Sequence, residues 1–203
     1  MTKNELDKIL KLHKKWLLNE GNGVRANLVG VDLAGIVLTN AMLVNAELRC
    51  ADLKNARLNN TNLKGADLRY TKLNDAILND ANLVFTDLSY ADLSGASLID
   101  TNLIGADLRN ANLANTNLTF ADLNRANLNY INLNNANLKA ADLSNANLNR
   151  ANLNGVDLSY ANLSNTDLTG ADLSGANLTG ADLSDANLTG TYFSGANLFN
   201  TIF

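Results

Sequence analysis

The sequence of 203 residues predicts a solenoid, in which short straight segments alternate with regular corners. Three observations support this. A leucine or phenylalanine recurs at every fifth position from Leu28 to Phe203, without one insertion, which makes 36 units. Two residues before this centre the chain always has Ala, Thr, Val or Ile. Two residues after it the chain has Gly at 11, Asn at ten and Asp at four of 35 positions. A fixed short period is the sequence signature of a repeat architecture.

A period of five fits neither regular element. On an α-helix, five residues advance by about 140°, so the leucines would be scattered around the cylinder. On a straight strand, an odd period would send successive leucines to opposite faces. The chain therefore turns once in each unit, at the position where Gly, Asn and Asp are common, because these residues tolerate turn conformations. The centre and the small residue then point inward, and the other three residues point outward.

The repeated unit, seen in ADLSGANLTGADLSDANLTG over residues 171–190, resembles the consensus A-(D/N)-L-x-x of the pentapeptide-repeat proteins. The resemblance covers residues 26–203. It implies an all-β solenoid, a right-handed quadrilateral β-helix with four units per coil and about nine coils. The residues alone leave three or four sides open, since Tyr70 and Tyr90 are 20 apart whereas Tyr70 and Phe85 are 15 apart. Asn and Asp before the centre are expected to form side-chain columns along the rod.

Residues 1–25 predict a short capping α-helix and a linker. Thr2 and Glu5 form a capping-box pattern, and Gly21 and Gly23 indicate a stop. The open end of a solenoid exposes unpaired backbone, so we expect the helix to act as a lid, with His13 and several lysines on its solvent face. A basic amphipathic helix is also typical of a membrane surface or a partner groove. The apolar residues at helical spacing are Leu6, Ile9, Leu10, Trp16 and Leu17.

The last three units contain a group of large apolar residues with no polar cap after them. They are expected either to plug the last coil or to meet a second copy. Since some pentapeptide-repeat proteins dimerise through their C-terminal ends, the resemblance favours a homodimer. The residues are Tyr192, Phe193, Phe199, Ile202 and Phe203.

The outward positions of the middle coils depart from the plain repeat. Arginine and tyrosine are favoured hot-spot residues at protein interfaces, and apolar residues accompany them here. We therefore predict a partner surface on this part of the rod; the competing interpretation is a scatter of surface residues. An apolar group in the first coil, Val29, Val37, Met42 and Val44, is expected to be covered by the N-terminal segment. The predicted partner surface consists of Arg69, Tyr70, Ile77, Val84, Phe85, Tyr90, Ile99, Ile104, Arg109 and Tyr130.

The composition argues against catalysis. The chain has one histidine, His13, and one cysteine, Cys50, so it lacks the constellations that nucleophilic catalysis or zinc binding require. We therefore expect no enzyme activity, no cofactor and no metal. Cys50 falls at an outward corner. The N-terminus has no signal-peptide pattern and no stretch is long enough to cross a membrane, which predicts a cytoplasmic protein without membrane contact.

Two hypotheses for function follow. The first is a non-enzymatic scaffold that binds an unidentified protein partner through a side face. The second is an inhibitor that imitates duplex DNA and occupies a DNA-binding enzyme such as DNA gyrase, as proposed for the quinolone-resistance branch of the family. Residues 151–203 have five Asp and no basic residue, but the net charge of the chain is only -4. Direct binding of nucleic acid is not expected, because a pI near 4.9 lacks a basic footprint.

Overall fold

The computed structural model describes residues 1–203 and consists of one α-helix followed by a solenoid. The helix, α1, spans Lys3–Leu17. From Asn27 to Ile202 the residue before each centre forms a parallel β-bridge with the residue 20 positions later, and no longer strand occurs. Because 20 residues are four units of five, each coil has four sides. The register thus settles the choice between three and four sides that the sequence leaves open, while the handedness stays a prediction.

The four sides are named here by their centres. Face 1 is centred on Leu28 and every twentieth residue after it, face 2 on Leu33, face 3 on Leu38 and face 4 on Leu43. Each corner is named by the two faces that it joins, so Tyr70 lies at corner 1/2. Faces 1 and 3 are opposite sides of the rod, as are faces 2 and 4.

The interior is a continuous column of leucine and small residues. Every centre from Leu28 to Leu183 is at most 4% exposed. Burial of a leucine side chain contributes about 1.5–3 kcal/mol, so this column is the main source of stability. Threonine replaces alanine at some inward positions, and its hydroxyl then donates to a leucine carbonyl, as Thr86 does to Leu63 at 2.9 Å. The buried hydroxyl is therefore satisfied.

Neighbouring coils are joined by backbone hydrogen bonds with the same period of 20. The Leu68 N–H donates to the Asp87 carbonyl at 2.8 Å, and the Asp87 N–H donates to the Ala66 carbonyl at 3.1 Å. The corner N–H of Tyr70 donates to the Ser89 carbonyl at 3.2 Å. Only the N–H that directly follows the centre has no backbone acceptor in this pattern.

The Asp or Asn before the centre accepts a hydrogen bond from that remaining N–H. Of the 36 residues at this position, 27 are Asp or Asn, and in every one of them Oδ1 accepts from the N–H two residues later, at 2.8–3.4 Å. This Asx turn explains why the repeat prefers these two residue types.

Some of the same side chains also form the expected columns along the rod. On face 2, the Asn112 amide donates to Asp92 at 3.0 Å, Asn132 to Asn112 at 2.8 Å, and Asn152 to Asn132 at 3.1 Å. The predicted side-chain ladder is therefore confirmed on this face. Burial raises the pKa of Asp92, but the hydrogen bonds from Asn74, from Ser94 and, within the ladder, from Asn112 outweigh it, and the net shift is downward.

The helix α1 covers the N-terminal end of the solenoid. The predicted capping box is confirmed: the Thr2 hydroxyl accepts from the Glu5 N–H, and the Glu5 carboxylate accepts from the Thr2 N–H. Leu6 is buried, and Ile9 and Leu10 pack against the core of the solenoid. Trp16 and Leu17 are half-buried, so all five predicted cap residues lie on the covered side of the helix.

Three expectations about this end are wrong. His13 is fully buried instead of facing solvent, because it follows Leu6 by seven residues and so shares its helical face. The predicted glycine stop is also wrong: the helix ends at Leu17, and Asn19, with φ 54°, is the first left-handed residue after it. Gly23 has a different role, because the linker passes so close to the helix there that a Cβ would lie 2.3 Å from the backbone nitrogen of Trp16. Most of the apolar group of the first coil is not covered: Val29, Val37 and Met42 are 39–62% exposed, and only Val44 is half-buried. The helix covers the end of the coil and not its sides.

The last coil leaves its apolar side chains uncovered. Phe193 packs partly against the core, but Tyr192, Phe199, Ile202 and Phe203 are 55–66% exposed. Tyr192, Phe199 and Ile202 are at outward positions and do not plug the coil, whereas Phe203 is at an inward centre, as is Leu198, which is 40% exposed. The N–H groups of Leu188, Phe193 and Leu198 also lack the backbone acceptors that their equivalents one coil earlier have, such as the Asn187 carbonyl that accepts from Leu168 at 2.9 Å.

Candidate interaction surface

The corners of the solenoid hold the side chains that the repeat does not need. All 35 corner residues have φ between 54° and 70°, the left-handed region, whether they are glycine or not. For residues other than Gly, Asn and Asp, this conformation costs roughly 1–2 kcal/mol. Ten corners have such a residue, and six of the ten are aromatic and about half exposed or more: Tyr70, Phe85, Tyr90, Phe120, Tyr130 and Tyr160.

Two of these rings form a stacked pair at corner 1/2. The centroids of Tyr70 and Tyr90 are 5.0 Å apart and their planes differ by 10°. The rings are 53% and 52% exposed, so the stack presents a large apolar area to solvent. Further along the same corner, the Arg150 guanidinium lies 5.5 Å from the Tyr130 ring centroid and donates to its hydroxyl at 2.6 Å. Contact with neighbouring coils therefore holds these side chains in defined positions.

Face 1 beside this corner has two arginine–aspartate pairs. Arg69 donates to both oxygens of Asp67, from Nε at 2.9 Å and from a terminal nitrogen at 2.6 Å. Arg109 binds Asp107 in the same way, with a closest distance of 2.6 Å. The hydrogen bonds from Arg69 lower the pKa of Asp67. Burial raises the pKa of Asp107, but the bonds from Arg109 outweigh it and the net shift is downward.

Between these pairs the intervening coil has a small side chain and no arginine. Ser89 replaces the arginine in the intervening coil and is only 4% exposed, and its hydroxyl donates to Asp87 at 2.7 Å. The second oxygen of Asp87 is 3.6 Å from Nε of Arg69. Asp87 therefore lies between the coils of Arg69 and Arg109 and beside the corner of the tyrosine stack.

The other edge of face 1 is apolar. Phe85 is at corner 4/1, is 64% exposed and lies across Gly105 of the next coil, where a Cβ would come within 2.6 Å of the ring. Val84 and Ile104 lie beside it on face 4, in the same two coils, and are half-buried. The ring thus joins the apolar area of face 4 to the charged area of face 1.

The structure divides the predicted partner surface between opposite sides of the rod. Eight of its ten residues lie on face 1, on the adjoining edge of face 4 or at the corners of face 1. Ile77 and Ile99, in contrast, lie on face 3, opposite Arg69. No flat partner contacts both groups at once, so the two isoleucines are removed from the candidate surface. We call the remaining set the face 1 surface: Arg69, Tyr70, Val84, Phe85, Tyr90, Ile104, Arg109 and Tyr130.

The prediction from sequence omitted two exposed rings at corner 3/4. Phe120 is 56% exposed and Tyr160 is 63% exposed, and they lie diagonally across the rod from the tyrosine stack. Tyr160 lies over Gly180 as Phe85 lies over Gly105. The corner position in the repeat was the signal that could have identified both.

Arginines are concentrated on the candidate side. Of the seven in the chain, Arg57 alone lies elsewhere, on face 3, while the others lie on face 1 or at its corners. The acidic residues of 151–203 show no such concentration, since Asp157, Asp167, Asp172 and Asp182 lie on four different faces. The arginines of the face 1 side are Arg25, Arg49, Arg69, Arg109, Arg125 and Arg150.

One cavity lies at the N-terminal end of the rod. A groove of about 640 Å³ runs between the first turns of α1 and the first coil, lined by Leu6, Leu10, Leu33 and Val37 among others. No group of three or more His, Cys, Asp or Glu residues is arranged to hold a metal ion. Cys50 is exposed at corner 1/2, as its place in the repeat predicts. No helix has the length and hydropathy of a membrane span.

These features define a repeat scaffold. The leucine core and the Asx turns recur on all four faces, whereas the outward side chains, such as the exposed rings at the corners, vary from coil to coil. The sequence model of the pentapeptide repeats matches residues 24–60, 61–98, 91–129, 131–170 and 166–203. The chain belongs to the pentapeptide-repeat family, as the resemblance in the sequence indicates. No curated protein matches the chain significantly.

Several solved structures are similar. HetL, a pentapeptide repeat protein involved in heterocyst differentiation regulation from the cyanobacterium Nostoc sp. strain PCC 7120, is 36% identical, over 93% of this chain and 92% of its own, with a TM-score of 0.39. Rfr23 from the cyanobacterium Cyanothece 51142 is 34% identical, over 58% and 63%, with a TM-score of 0.36. Trypsin-treated QnrB1, a plasmid-mediated fluoroquinolone resistance protein, is 20% identical, over 85% and 89%, with a TM-score of 0.37.

Proposed function

We propose that the protein is a non-enzymatic scaffold that binds another protein through the face 1 surface. The observation that carries this proposal is the presence of aromatic side chains at left-handed corners. A ring at a corner costs stability that Gly or Asn would not cost, and it buries little area in return. Residues held in unfavourable backbone conformations concentrate at functional sites, where they have a role other than folding.

Three properties of the surface suit protein recognition. Tyrosine and arginine are enriched among hot-spot residues. The Tyr70–Tyr90 stack and the bidentate Arg69–Asp67 pair hold their side chains in place, so binding immobilises few additional rotamers. The flat face offers area and not a cleft, which is typical of protein interfaces and not of catalytic sites.

The experiment replaces the three rings Tyr70, Phe85 and Tyr90 together by Asn. Asn is the most common residue other than Gly at the corners, so the variant is expected to keep the fold. The matched control replaces Phe120 and Tyr160 by Asn, at the corner diagonally opposite Tyr70 and Tyr90 and with similar exposure. Affinity capture from the source cells with each protein, followed by mass spectrometry, identifies the bound proteins.

The proposal predicts proteins that the wild type and the control retain and the face 1 variant loses. If the face 1 variant retains the same proteins as the wild type, the assignment to face 1 is wrong. If the control variant alone loses them, the interface lies at corner 3/4.

The hypothesis of a DNA-mimicking inhibitor gains no support from the charge distribution, since the acidic residues of 151–203 are spread over all four faces. A supercoiling assay tests it directly. Inhibition of gyrase by micromolar protein, unchanged in the face 1 variant, would replace the scaffold proposal by the mimic.

We also propose that two copies associate through their C-terminal ends. The exposed rings of Phe199 and Phe203, with Ile202 between them, form an apolar area that a second copy covers. Association would remove this apolar area from solvent.

A further inference from the structure

The only histidine of the chain is buried between the helix and the first coil. His13 has no exposed surface, and its ring stacks on Trp16 with the centroids 5.5 Å apart and the planes at 14°. Nδ1 accepts a hydrogen bond from the Ala26 N–H at 3.0 Å. Nε2 is buried and has no hydrogen-bond partner. Since Nδ1 is an acceptor, the imidazole is neutral in this arrangement, with its proton on Nε2.

His13 takes the place of a backbone group that the first unit lacks. In later units the N–H of the inward small residue donates to the preceding centre, as Val31 does to the Leu28 carbonyl at 3.2 Å. Ala26 begins the first unit and has no preceding centre, so its N–H donates to the imidazole instead. The hydrogen bond therefore connects the lid to the start of the solenoid.

Protonation is incompatible with this arrangement. An imidazolium donates from both nitrogens, so Nδ1 could no longer accept from Ala26. The new charge would be buried without a carboxylate partner, and an unpaired buried charge is costly. Burial lowers the pKa of His13 and the nearby Arg25 lowers it further, while the Val44 carbonyl offsets part of the effect.

The charged groups around the ring reinforce this effect. On the solenoid side, Arg25 precedes the first unit and forms an ion pair with Glu47 of the second coil. Arg25 disfavours a second positive charge, and Glu47 is already engaged. On the helix side, Lys14 is exposed and Lys15 partly exposed, and both are also positive. No free carboxylate is positioned to stabilise an imidazolium at His13.

We propose that α1 is an acid-released lid: protonation of His13 undocks the helix and uncovers the end of the first coil. In the undocked state, the apolar core at the end of the first coil, which Leu6, Ile9 and Leu10 cover, is exposed to solvent, and the Ala26 N–H loses its acceptor. The rod itself keeps its coils, because its core contains no histidine. The lid is thus a switch that responds to pH between neutrality and the range where carboxylates titrate.

The sign follows from linkage. The pKa of His13 is lower in the docked state than in the free state, where it is near 6.5. Docking is therefore fully stable above pH 6.5 and weakens as the pH falls below it. Between 6.5 and the pKa of the docked form, the population of undocked helix rises about tenfold for each pH unit.

The test measures hydrogen exchange of the Ala26 amide by NMR from pH 7.5 to pH 5, corrected for the intrinsic pH dependence of exchange. In the wild type, we expect protection to be constant above pH 6.5 and to fall below it, with a limiting slope of about tenfold per pH unit until the pKa of the docked form is reached. In His13→Asn, whose Oδ1 can accept the same hydrogen bond but does not titrate, protection should not change with pH. Equal pH dependence in both proteins, or constant protection in the wild type, would overturn the proposal.

A second measurement does not depend on any variant that could fail to dock. The ring protons of His13 are the only imidazole signals in the chain, so their titration gives its pKa without assignment. We expect a value below 6.5 in the wild type and about 6.5 in Leu6→Asp, where the helix cannot dock. Titration of the wild type at 6.5 or above, with Ala26 still protected, contradicts the switch. The emission of Trp16, the only tryptophan, should shift to the red in the same pH range as exchange increases.

Discussion

Phe85 lies across Gly105 of the next coil, and a Cβ at Gly105 would be 2.6 Å from Cε1 of the ring. The glycine also has φ 62°, so it supplies both the left-handed corner and the space for the ring. Gly175 separates the two effects, since its φ is 67° but its nearest neighbour would be 3.9 Å from a Cβ. An exposed ring of the face 1 surface is therefore positioned by the absence of a side chain 20 residues later.

Replacement of Gly105 by Ala is expected to be more destabilising than replacement of Gly175 by Ala. Both variants have the cost of a left-handed alanine, roughly 1 kcal/mol, but only Gly105→Ala also displaces a ring. Thermal unfolding of both variants measures the difference. In a Phe85→Gly background the excess should disappear, as at Gly175, where the residue one coil earlier is Gly155 and the nearest atom would be 3.9 Å from a Cβ. An equal cost of Gly105→Ala with and without the ring would show that Phe85 does not rest on the glycine.

The amide ladder of face 2 makes a prediction about stability. Asn132 forms an Asx turn, donates to Asn112 and accepts from Asn152. Asn137 on face 3 forms only the Asx turn, with the Lys139 N–H at 3.0 Å. A net hydrogen bond contributes roughly 1 kcal/mol, and less when it is exposed. We expect Asn137→Ala to cost about 1 kcal/mol and Asn132→Ala about 2 kcal/mol in the free energy of unfolding.

Equilibrium unfolding in guanidinium chloride measures both values. The matched positions have the same backbone conformation in the repeat, so propensity cancels between the two variants. If the two variants are equally destabilised, the ladder contributes nothing beyond the Asx turn.

The sequence predicts the scaffold better than it predicts the surface, for a physical reason. The inward positions and corners repeat in every unit, so one rule about Leu28 or Gly105 applies along the whole rod. The number of sides depends instead on pairing between distant residues, such as Asp67 with Asp87, which a period of five does not determine. With a period of 20, Ile77 lies on the side of the rod opposite Arg69 and is not part of the candidate surface.

Two further features needed the three-dimensional arrangement. The Asx turn was not predicted, although the preference for Asp and Asn before the centre was its visible signal. The polar character of histidine predicts a solvent-facing His13, whereas its spacing of seven from Leu6 places it on the buried face. In both cases the position in the pattern was more informative than the chemical type of the residue.

The C-terminal end makes a prediction about oligomeric state. We expect the wild type to be a dimer and Phe203→Asp to be a monomer, because a buried carboxylate in an apolar interface is costly. Size-exclusion chromatography with light scattering measures both masses. Phe120→Asn serves as a control, since it removes an exposed ring from the side of the rod and should leave the dimer unchanged. A monomeric wild type at micromolar concentration would contradict the proposed association.

The Arg69–Asp67 pair makes a prediction about acid stability. Arg69 holds the pKa of Asp67 below its ordinary value in the folded state. This contribution to stability is present above the unfolded pKa, near 3.9, and is lost as the pH falls through the folded pKa. In Arg69→Gln, the pKa of Asp67 should rise and the decline of stability between pH 5 and pH 2 should be smaller.

Carboxyl ¹³C titration by NMR measures the pKa directly, and acid unfolding curves measure the stability. Arg49→Gln is the matched control, because Arg49 acts on Asp67 only through a weaker coulombic interaction. A pKa of Asp67 that is unchanged in Arg69→Gln would mean that the Asx turn, and not the arginine, sets its value.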